Sequence, residues 1–120
     1  MEDLIRKVVP AEINSMNIDI EEFIELYNEG KCELVDVRVP FETAVWKMSF
    51  GLFIPANELP DNLDKLPKDK LLVVACPKTT RSIMARMYLA EKGFEVKYLN
   101  DGLTGLTEYL KGGKAKTIKL

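Results

Sequence analysis

Apolar positions along the chain follow two periods, and this pattern predicts short strands separated by helices. Continuous or alternating apolar runs indicate strands, and apolar residues recurring every three or four positions indicate helices. The predicted strands are residues 17–18, 32–37, 50–54, 71–75 and 95–99. The predicted helices are residues 20–28, one or two turns within 41–45, 58–66, 81–92 and 103–110. Strands and helices alternating at such short intervals favour an α/β domain with a mostly parallel sheet.

Turn and capping residues predict where the elements begin and end. Asp19 stands before the helix at 20–28 with Glu22 three residues later, which is the arrangement of a capping box. Gly30 follows the same helix and is typical of a residue that terminates one. Pro10 is expected to stop a short amphipathic helix in the preceding segment.

One domain is expected for a chain of 120 residues. We predict that it covers residues 17–112, after a variable N-terminal extension at residues 1–16. A basic tail at residues 113–120 follows. We expect the chain from Lys111 to Leu120 to be frayed.

The sequence contains no histidine, and this excludes several kinds of site. Cys–His and Ser–His–Asp nucleophile systems both require histidine, which is also the commonest metal ligand. Two cysteines in unrelated contexts cannot form a structural zinc site alone, so we predict neither a metal nor a cofactor. Chemistry in this chain must therefore use carboxylates, or a thiolate activated by backbone amides and cations.

The charge and the cysteine count limit which partners and which cellular compartment are expected. A formal net charge of −2 argues against nucleic acid as a partner but leaves small anionic substrates open. Apolar runs are too short to span a membrane, and residues 1–9 lack the apolar region of a signal peptide. Two cysteines are far fewer than a disulfide scaffold uses, so we expect a cytoplasmic protein without membrane attachment.

Cys76 lies between the buried strand at 71–75 and a predicted helix, in a loop that also contains Lys78 and Arg81. Loop amides, a helix N-terminus and nearby cations would stabilise a thiolate there. A buried core cysteine is an equally consistent interpretation of the spacing alone. Asp36 ends its own strand and should open onto the same edge of the sheet, where α/β proteins bind ligands.

Cys32 begins the strand that Asp36 ends, so it should lie at the opposite edge. At ~3.3 Å per residue the two cysteines would be roughly 15 Å apart. A disulfide needs Cα atoms within about 7 Å, so we reject one and interpret Cys32 as a structural residue.

Several ordered motifs together resemble a single-domain rhodanese, a sulfurtransferase, and the resemblance covers residues from about Asn17 to Gly112. The resemblance implies a small parallel β-sheet flanked by helices on both faces. The motifs are Leu34-Val35-Asp36-Val37-Arg38 with Pro40 and Glu42, Ile54-Pro55 with Leu59, Leu66-Pro67-Lys68-Asp69-Lys70, Cys76 with Arg81-Ser82, Gly93-Phe94, and Tyr98-Leu99-Asn100-Asp101-Gly102-Leu103.

The resemblance implies that Cys76 is the nucleophile, which takes sulfane sulfur from a donor such as thiosulfate or a protein persulfide and holds it as a persulfide. The anionic terminal sulfur would lie among loop N–H groups and the hydroxyls of Thr80 and Ser82. Lys78 and Arg81 would attract an anionic donor. The residues expected to bind the substrate are Pro77, Lys78, Thr79, Thr80, Arg81, Ser82, Asp36 and Arg38.

Two functions other than sulfur transfer are also considered for this fold. One is a non-catalytic module of the same fold. It would bind a partner through the loop after Cys76, which departs from the family pattern, and through the segment from Trp46 to Phe53. The other is a phosphatase or arsenate reductase. Those enzymes have five residues between cysteine and arginine, whereas only the four residues 77–80 separate Cys76 from Arg81. The smaller loop favours a sulfur atom over a tetrahedral oxyanion.

The chain departs from the family pattern in the loop and before the third strand. Pro77 removes one backbone N–H, and Thr79 stands where many members have glycine, so a left-handed backbone there would be strained. The stretch 46–51 replaces the family's Gly-His-Ile-Pro-Gly-Ala.

We also expect Arg38 to form an ion pair with Glu42.

Overall fold

The computed structural model describes residues 1–120 and is built on a sheet of five parallel strands. The strands are β1 (Asn17–Ile18), β2 (Cys32–Asp36), β3 (Leu52–Phe53), β4 (Leu71–Ala75) and β5 (Val96–Leu99). Their order across the sheet is β1-β5-β4-β2-β3. The longest pairing, between β2 and β4, is in register from Cys32 opposite Leu71 to Asp36 opposite Ala75.

Six α-helices and three short 3₁₀ helices connect and flank the strands. The α-helices are α1 (Glu2–Ile5), α2 (Pro10–Asn14), α3 (Ile20–Asn28), α4 (Pro40–Thr43), α5 (Thr80–Glu91) and α6 (Gly102–Leu110). The 3₁₀ helices are Ala56–Asp61, Leu63–Lys65 and Gly113–Thr117. No helix is both long and apolar enough to cross a membrane.

The sheet separates two hydrophobic clusters, because successive residues of a buried strand point to opposite faces. Val73 and Ala75 of β4 pack in one cluster with apolar residues of α3 and α6. Leu72 and Val74 pack in the other cluster with Ala85 and Leu89 of α5 and with the 3₁₀ helices after β3. Helices therefore cover both faces, which confirms the predicted fold class.

Three predicted elements have the bounds observed, namely β1, α3 and β4. The capping box is wrong, because Asp19 occupies the N-cap position of α3 without a side-chain capping hydrogen bond. Its Oδ1 instead accepts a hydrogen bond of 2.7 Å from Nδ2 of Asn100, which follows β5. Pro10 begins α2 instead of ending a helix, as its fixed φ and missing N–H allow at a first turn.

The helix predicted at residues 58–66 is replaced by two 3₁₀ helices. Pro60 lies inside the first of them and has no N–H to donate, which disfavours a continuous α-helix.

The C-terminal tail is not frayed. Ile118 is 7% exposed and packs into the cluster that contains α3 and α6. Asn28 at the end of α3 donates from Nδ2 to the Thr117 carbonyl at 2.8 Å and accepts from the Lys119 amide at 2.7 Å. Apolar burial and these two hydrogen bonds offset the entropy lost in ordering the tail.

Candidate active site

Cys76 follows the carboxyl end of β4 and is only 2% exposed. Asp36, the last residue of β2, is in register with Ala75, so both residues lie at the edge of the sheet predicted for the site. Cys32 is in register with Leu71 at the other end of the same strands. Burial, with a smaller effect of the Glu33 charge, raises the pKa of the Cys32 thiol to about 12.

The loop after Cys76 is held from behind by the start of α6. The Leu103 amide donates to the Cys76 carbonyl at 2.8 Å, and the Thr104 amide donates to the Pro77 carbonyl at 3.2 Å. Gly102, with a φ of 61°, lies directly against the loop. A Cβ atom at Gly102 would stand 2.2 to 2.6 Å from the carbonyl oxygens of Lys78, Pro77 and Cys76.

These contacts at Gly102 were not predicted from the sequence, where Gly102 was noted only as part of the motif Tyr98-Leu99-Asn100-Asp101-Gly102-Leu103. The available signal is the position of the glycine, three residues after a predicted strand and directly before a predicted apolar helix. That position indicates only that Gly102 needs an unusual backbone conformation. The close approach to carbonyl groups about 25 residues earlier in the chain depends on tertiary packing.

The amide N–H groups of residues 78–82 are left without an acceptor inside the protein. In a trans peptide the N–H points opposite to the C=O. Binding of the Pro77 carbonyl by α6 therefore turns the Lys78 amide away from α6. A run of unpaired amides at a helix start is an arrangement that binds anions.

Ser82 is the predicted site residue whose side chain forms a hydrogen bond with the Cys76 thiol. Its hydroxyl accepts a hydrogen bond from Cys76 Sγ at 3.6 Å and donates to the Thr79 carbonyl at 2.9 Å. Thr79 has φ −136° and ψ −15°, so the strain expected from a left-handed backbone does not arise. Thr80 is exposed, and its hydroxyl makes no hydrogen bond in the structure.

The predicted ion pair between Arg38 and Glu42 is wrong. Arg38 pairs with Asp36, and both side chains are almost completely buried. Asp36 accepts hydrogen bonds from the Arg38 amide at 3.1 Å, Nε at 3.0 Å and Nη2 at 2.8 Å. The guanidinium carbon of Arg38 lies 4.2 Å from the centre of the Trp46 ring. A buried guanidinium needs close acceptors, and Asp36, two residues away at the end of β2, supplies them.

Glu42 pairs with Arg81 instead. The Arg81 guanidinium donates to the two carboxylate oxygens at 2.6 and 2.9 Å, and the Val39 amide donates to Oε1 at 3.3 Å. The hydrogen bonds from Arg81 lower the pKa of Glu42 to about 2, against partial burial, with help from Val39 and the Arg38 charge. The same hydrogen bonds raise the pKa of Arg81, and the negative charges of Glu42 and Asp36 act in the same direction.

Lys78 is exposed and forms no ion pair. It is therefore the uncompensated cation of the loop, whereas Arg81 is neutralised. Lys78 and Arg81 therefore differ in their available charge, although the sequence predicted that both would attract an anionic donor.

The aromatic residues of the segment from Trp46 to Phe53 make three different contacts. Phe50 packs on Tyr27 of α3, with ring centres 5.1 Å apart. Trp46 covers Arg38, and Phe53 lies 4.8 Å from Lys47 Nζ. No group of three or more histidine, cysteine, aspartate or glutamate side chains is arranged to hold a metal ion.

The family model described as Rhodanese-like domain matches residues 19–109. A sulfurtransferase of Allochromatium vinosum is 34% identical over 61 residues, which are 51% of this chain and 57% of that protein. A tRNA uridine(34) hydroxylase of Pelagibacter ubique is 35% identical over 92% of this chain and 40% of that protein. The chain thus spans about half the length of these two relatives.

A similar solved structure is the rhodanese-related protein of Thermoplasma volcanium. It is 28% identical, with a TM-score of 0.67, over 80% of this chain and 92% of that chain.

Proposed function

The chain belongs to the rhodanese-like domain family, and on this premise we propose that it is a sulfurtransferase with Cys76 as its nucleophile. The observation that carries the proposal is the buried thiol followed by the unpaired amides of residues 78–82. The relative in Allochromatium vinosum, which is named a sulfurtransferase, supports it.

The reaction proceeds in two displacements. The Cys76 thiolate attacks the sulfane sulfur of thiosulfate, the S–S bond of the donor breaks, and sulfite leaves with the electron pair. A thiophilic acceptor then attacks the terminal sulfur of the persulfide, and the Cys76 thiolate leaves with the electron pair of that bond. Neither step removes a proton once the thiol is ionised, so the absence of histidine is compatible with the mechanism.

The negative charge on the terminal sulfur is stabilised by groups already in place. The amides of residues 78–82 have no competing acceptor. Because α6 holds the loop carbonyls, these amides need little reorganisation when the persulfide forms. The Ser82 hydroxyl also contacts Sγ, but it must rotate away from the Thr79 carbonyl before it can donate to the sulfur. Pro77 contributes no N–H, so the donor run begins at Lys78.

The other functions have less support. The four-residue gap between Cys76 and Arg81, together with the engagement of Arg81 by Glu42, disfavours a loop that grips a phosphate or arsenate. The tRNA hydroxylase relative matches over 40% of its own length, so that likeness supports a shared domain and not its whole activity. A non-catalytic binding module is the remaining alternative.

The partners that we propose are a small anionic sulfur donor, such as thiosulfate, or a protein persulfide, and a thiol-type acceptor. Both cysteines are free thiols, which fits a reducing compartment such as the cytoplasm.

The experiment is mass spectrometry of the protein after incubation with thiosulfate or polysulfide. We expect one added sulfur atom, present in Cys32→Ser and absent in Cys76→Ser. No added sulfur from any donor would refute the sulfurtransferase and leave the binding module. Hydrolysis of a phosphomonoester that depends on Cys76 would instead indicate a phosphatase.

A further inference from the structure

The Glu42–Arg81 pair joins α4 to the start of α5, beside the thiol. Arg81 is one residue before Ser82, whose hydroxyl contacts Cys76 Sγ. The pair is bidentate, at 2.6 and 2.9 Å, and the Glu42 carboxylate is further held by the Val39 amide. Charge-assisted bidentate pairs of this geometry are among the strongest hydrogen-bonded contacts of side chains.

The charges around Cys76 are almost completely compensated. Arg38 is neutralised by Asp36 in a buried pair, and Arg81 is neutralised by Glu42. Only Lys78 adds an unpaired positive charge on the loop. The site therefore offers a donor one exposed cation and a set of neutral amides.

We propose that Glu42 determines the charge class of the sulfur donor. By holding Arg81, it makes the site favour donors with one negative charge over dianionic thiosulfate. The inference rests on the proposed sulfurtransferase function. A dianion could recruit Arg81 only by breaking both hydrogen bonds to Glu42 and leaving that carboxylate beside the incoming negative charge, which is repulsive.

Two donors of the same chemistry isolate the charge. Thiosulfate is a dianion, and methanethiosulfonate is a monoanion with the same S–S bond to an oxidised sulfur. The Cys76 thiolate attacks the sulfane sulfur of either donor, and sulfite or methanesulfinate leaves with the electron pair. Intrinsic differences in reactivity cancel when the ratio of kcat/KM for the two donors is compared between variants.

The test measures this ratio in the wild-type protein and in Glu42→Gln, with cyanide as the acceptor. Freeing Arg81 should raise the thiosulfate to methanethiosulfonate ratio by roughly fivefold or more, because local charge changes encounter rates with anions by an order of magnitude or more. The gain should appear mainly in KM and should decrease with added salt. A Glu42→Gln ratio equal to that of the wild type, with both donors slowed alike, would show that Glu42 only holds the loop and would overturn the proposal.

The matched control is Glu108→Gln, which removes a surface ion pair with Lys111 and changes the net charge equally. Its ratio should equal that of the wild type, and an equal rise there would trace the effect to net charge and overturn the proposal.

A double variant, Glu42→Gln with Arg81→Gln, keeps the site neutral without an ion pair. It should retain the wild-type ratio, and it serves also if the single variant is unstable. A lower ratio in the double variant would mean that Arg81 attracts the donor in the wild type, contrary to the proposal. Failure of both donors to load wild-type Cys76 would refute the proposed function itself, which is a separate result.

Discussion

Replacing Gly102 by alanine tests whether α6 sets the shape of the cysteine loop. The new methyl group would stand 2.2 to 2.6 Å from the three carbonyl oxygens of residues 76–78, all of which are backbone atoms that cannot rotate away. The helix and the loop must therefore separate, at the expense of the hydrogen bonds from the amides of Leu103 and Thr104, now 2.8 and 3.2 Å long.

The expected loss of stability has two parts. Alanine at a left-handed φ costs about 1 kcal/mol. Two lost backbone hydrogen bonds at about 1 kcal/mol each bring the total for Gly102→Ala to about 3 kcal/mol. Gly30→Ala is the matched control, because Gly30 has a φ of 73° and nothing within 4 Å of a new Cβ. The control should lose about 1 kcal/mol, from strain alone.

Urea unfolding measures both losses, and mass spectrometry measures how fast Cys76 acquires sulfur in each variant. We expect sulfur loading to slow markedly in Gly102→Ala, because the displaced loop no longer presents its amides, and to stay unchanged in Gly30→Ala. Equal stability of the two variants, or full sulfur loading in Gly102→Ala, would refute the reasoning that the close approach of α6 shapes the site.

Three further predictions concern the tail, the ion pair and the second cysteine. Ile118→Ala should lower the free energy of unfolding by about 2 kcal/mol, whereas Leu120→Ala, at a residue 77% exposed, should not change it; equal effects would contradict the docked tail. Glu42 contributes stability through Arg81 that is complete above pH 4.5 and is lost as the pH falls toward about 2, so Glu42→Gln should show a flatter acid limb in unfolding titrations; an unchanged limb would contradict the lowered pKa. Cys32, with its pKa raised to about 12 by burial, should resist iodoacetamide at mildly alkaline pH in the folded protein and react once the chain is denatured; equal rates would show that it is accessible.

The local pattern of apolar residues was sufficient to predict the elements in which apolar residues are continuous or recur at regular intervals. The apolar run of β4 and the amphipathic spacing of α3 were predicted with the observed bounds. It was insufficient at 58–66, where leucines at helical spacing surround Pro60 and two 3₁₀ helices form instead. The tail failed for another reason, because the burial of Ile118 depends on a cluster that the tail sequence does not contain.

The candidate site was predicted in location and only partly in its interactions. Cys76 and Asp36 were placed at one edge of the sheet because both follow the ends of parallel strands, and the register confirms that position. The predicted ion pair was wrong because the positive charges of both Arg38 and Arg81 act on Glu42. Arg38 is only four residues from Glu42 in the sequence, so the sequence favoured it as the partner. Only the tertiary arrangement places Glu42 of α4 within hydrogen-bonding distance of Arg81 of α5.

The sequence alone determined the α/β class, the resemblance to rhodaneses and the position of the cysteine after a buried strand. These follow from short-range patterns of period and spacing, which a chain expresses locally. Only the tertiary structure decided which carboxylate neutralises which arginine, that Gly102 supports the loop from behind, and that the amides of residues 78–82 remain unpaired. Such contacts join residues far apart in the chain, and their partners are set by packing between elements and not by any local pattern.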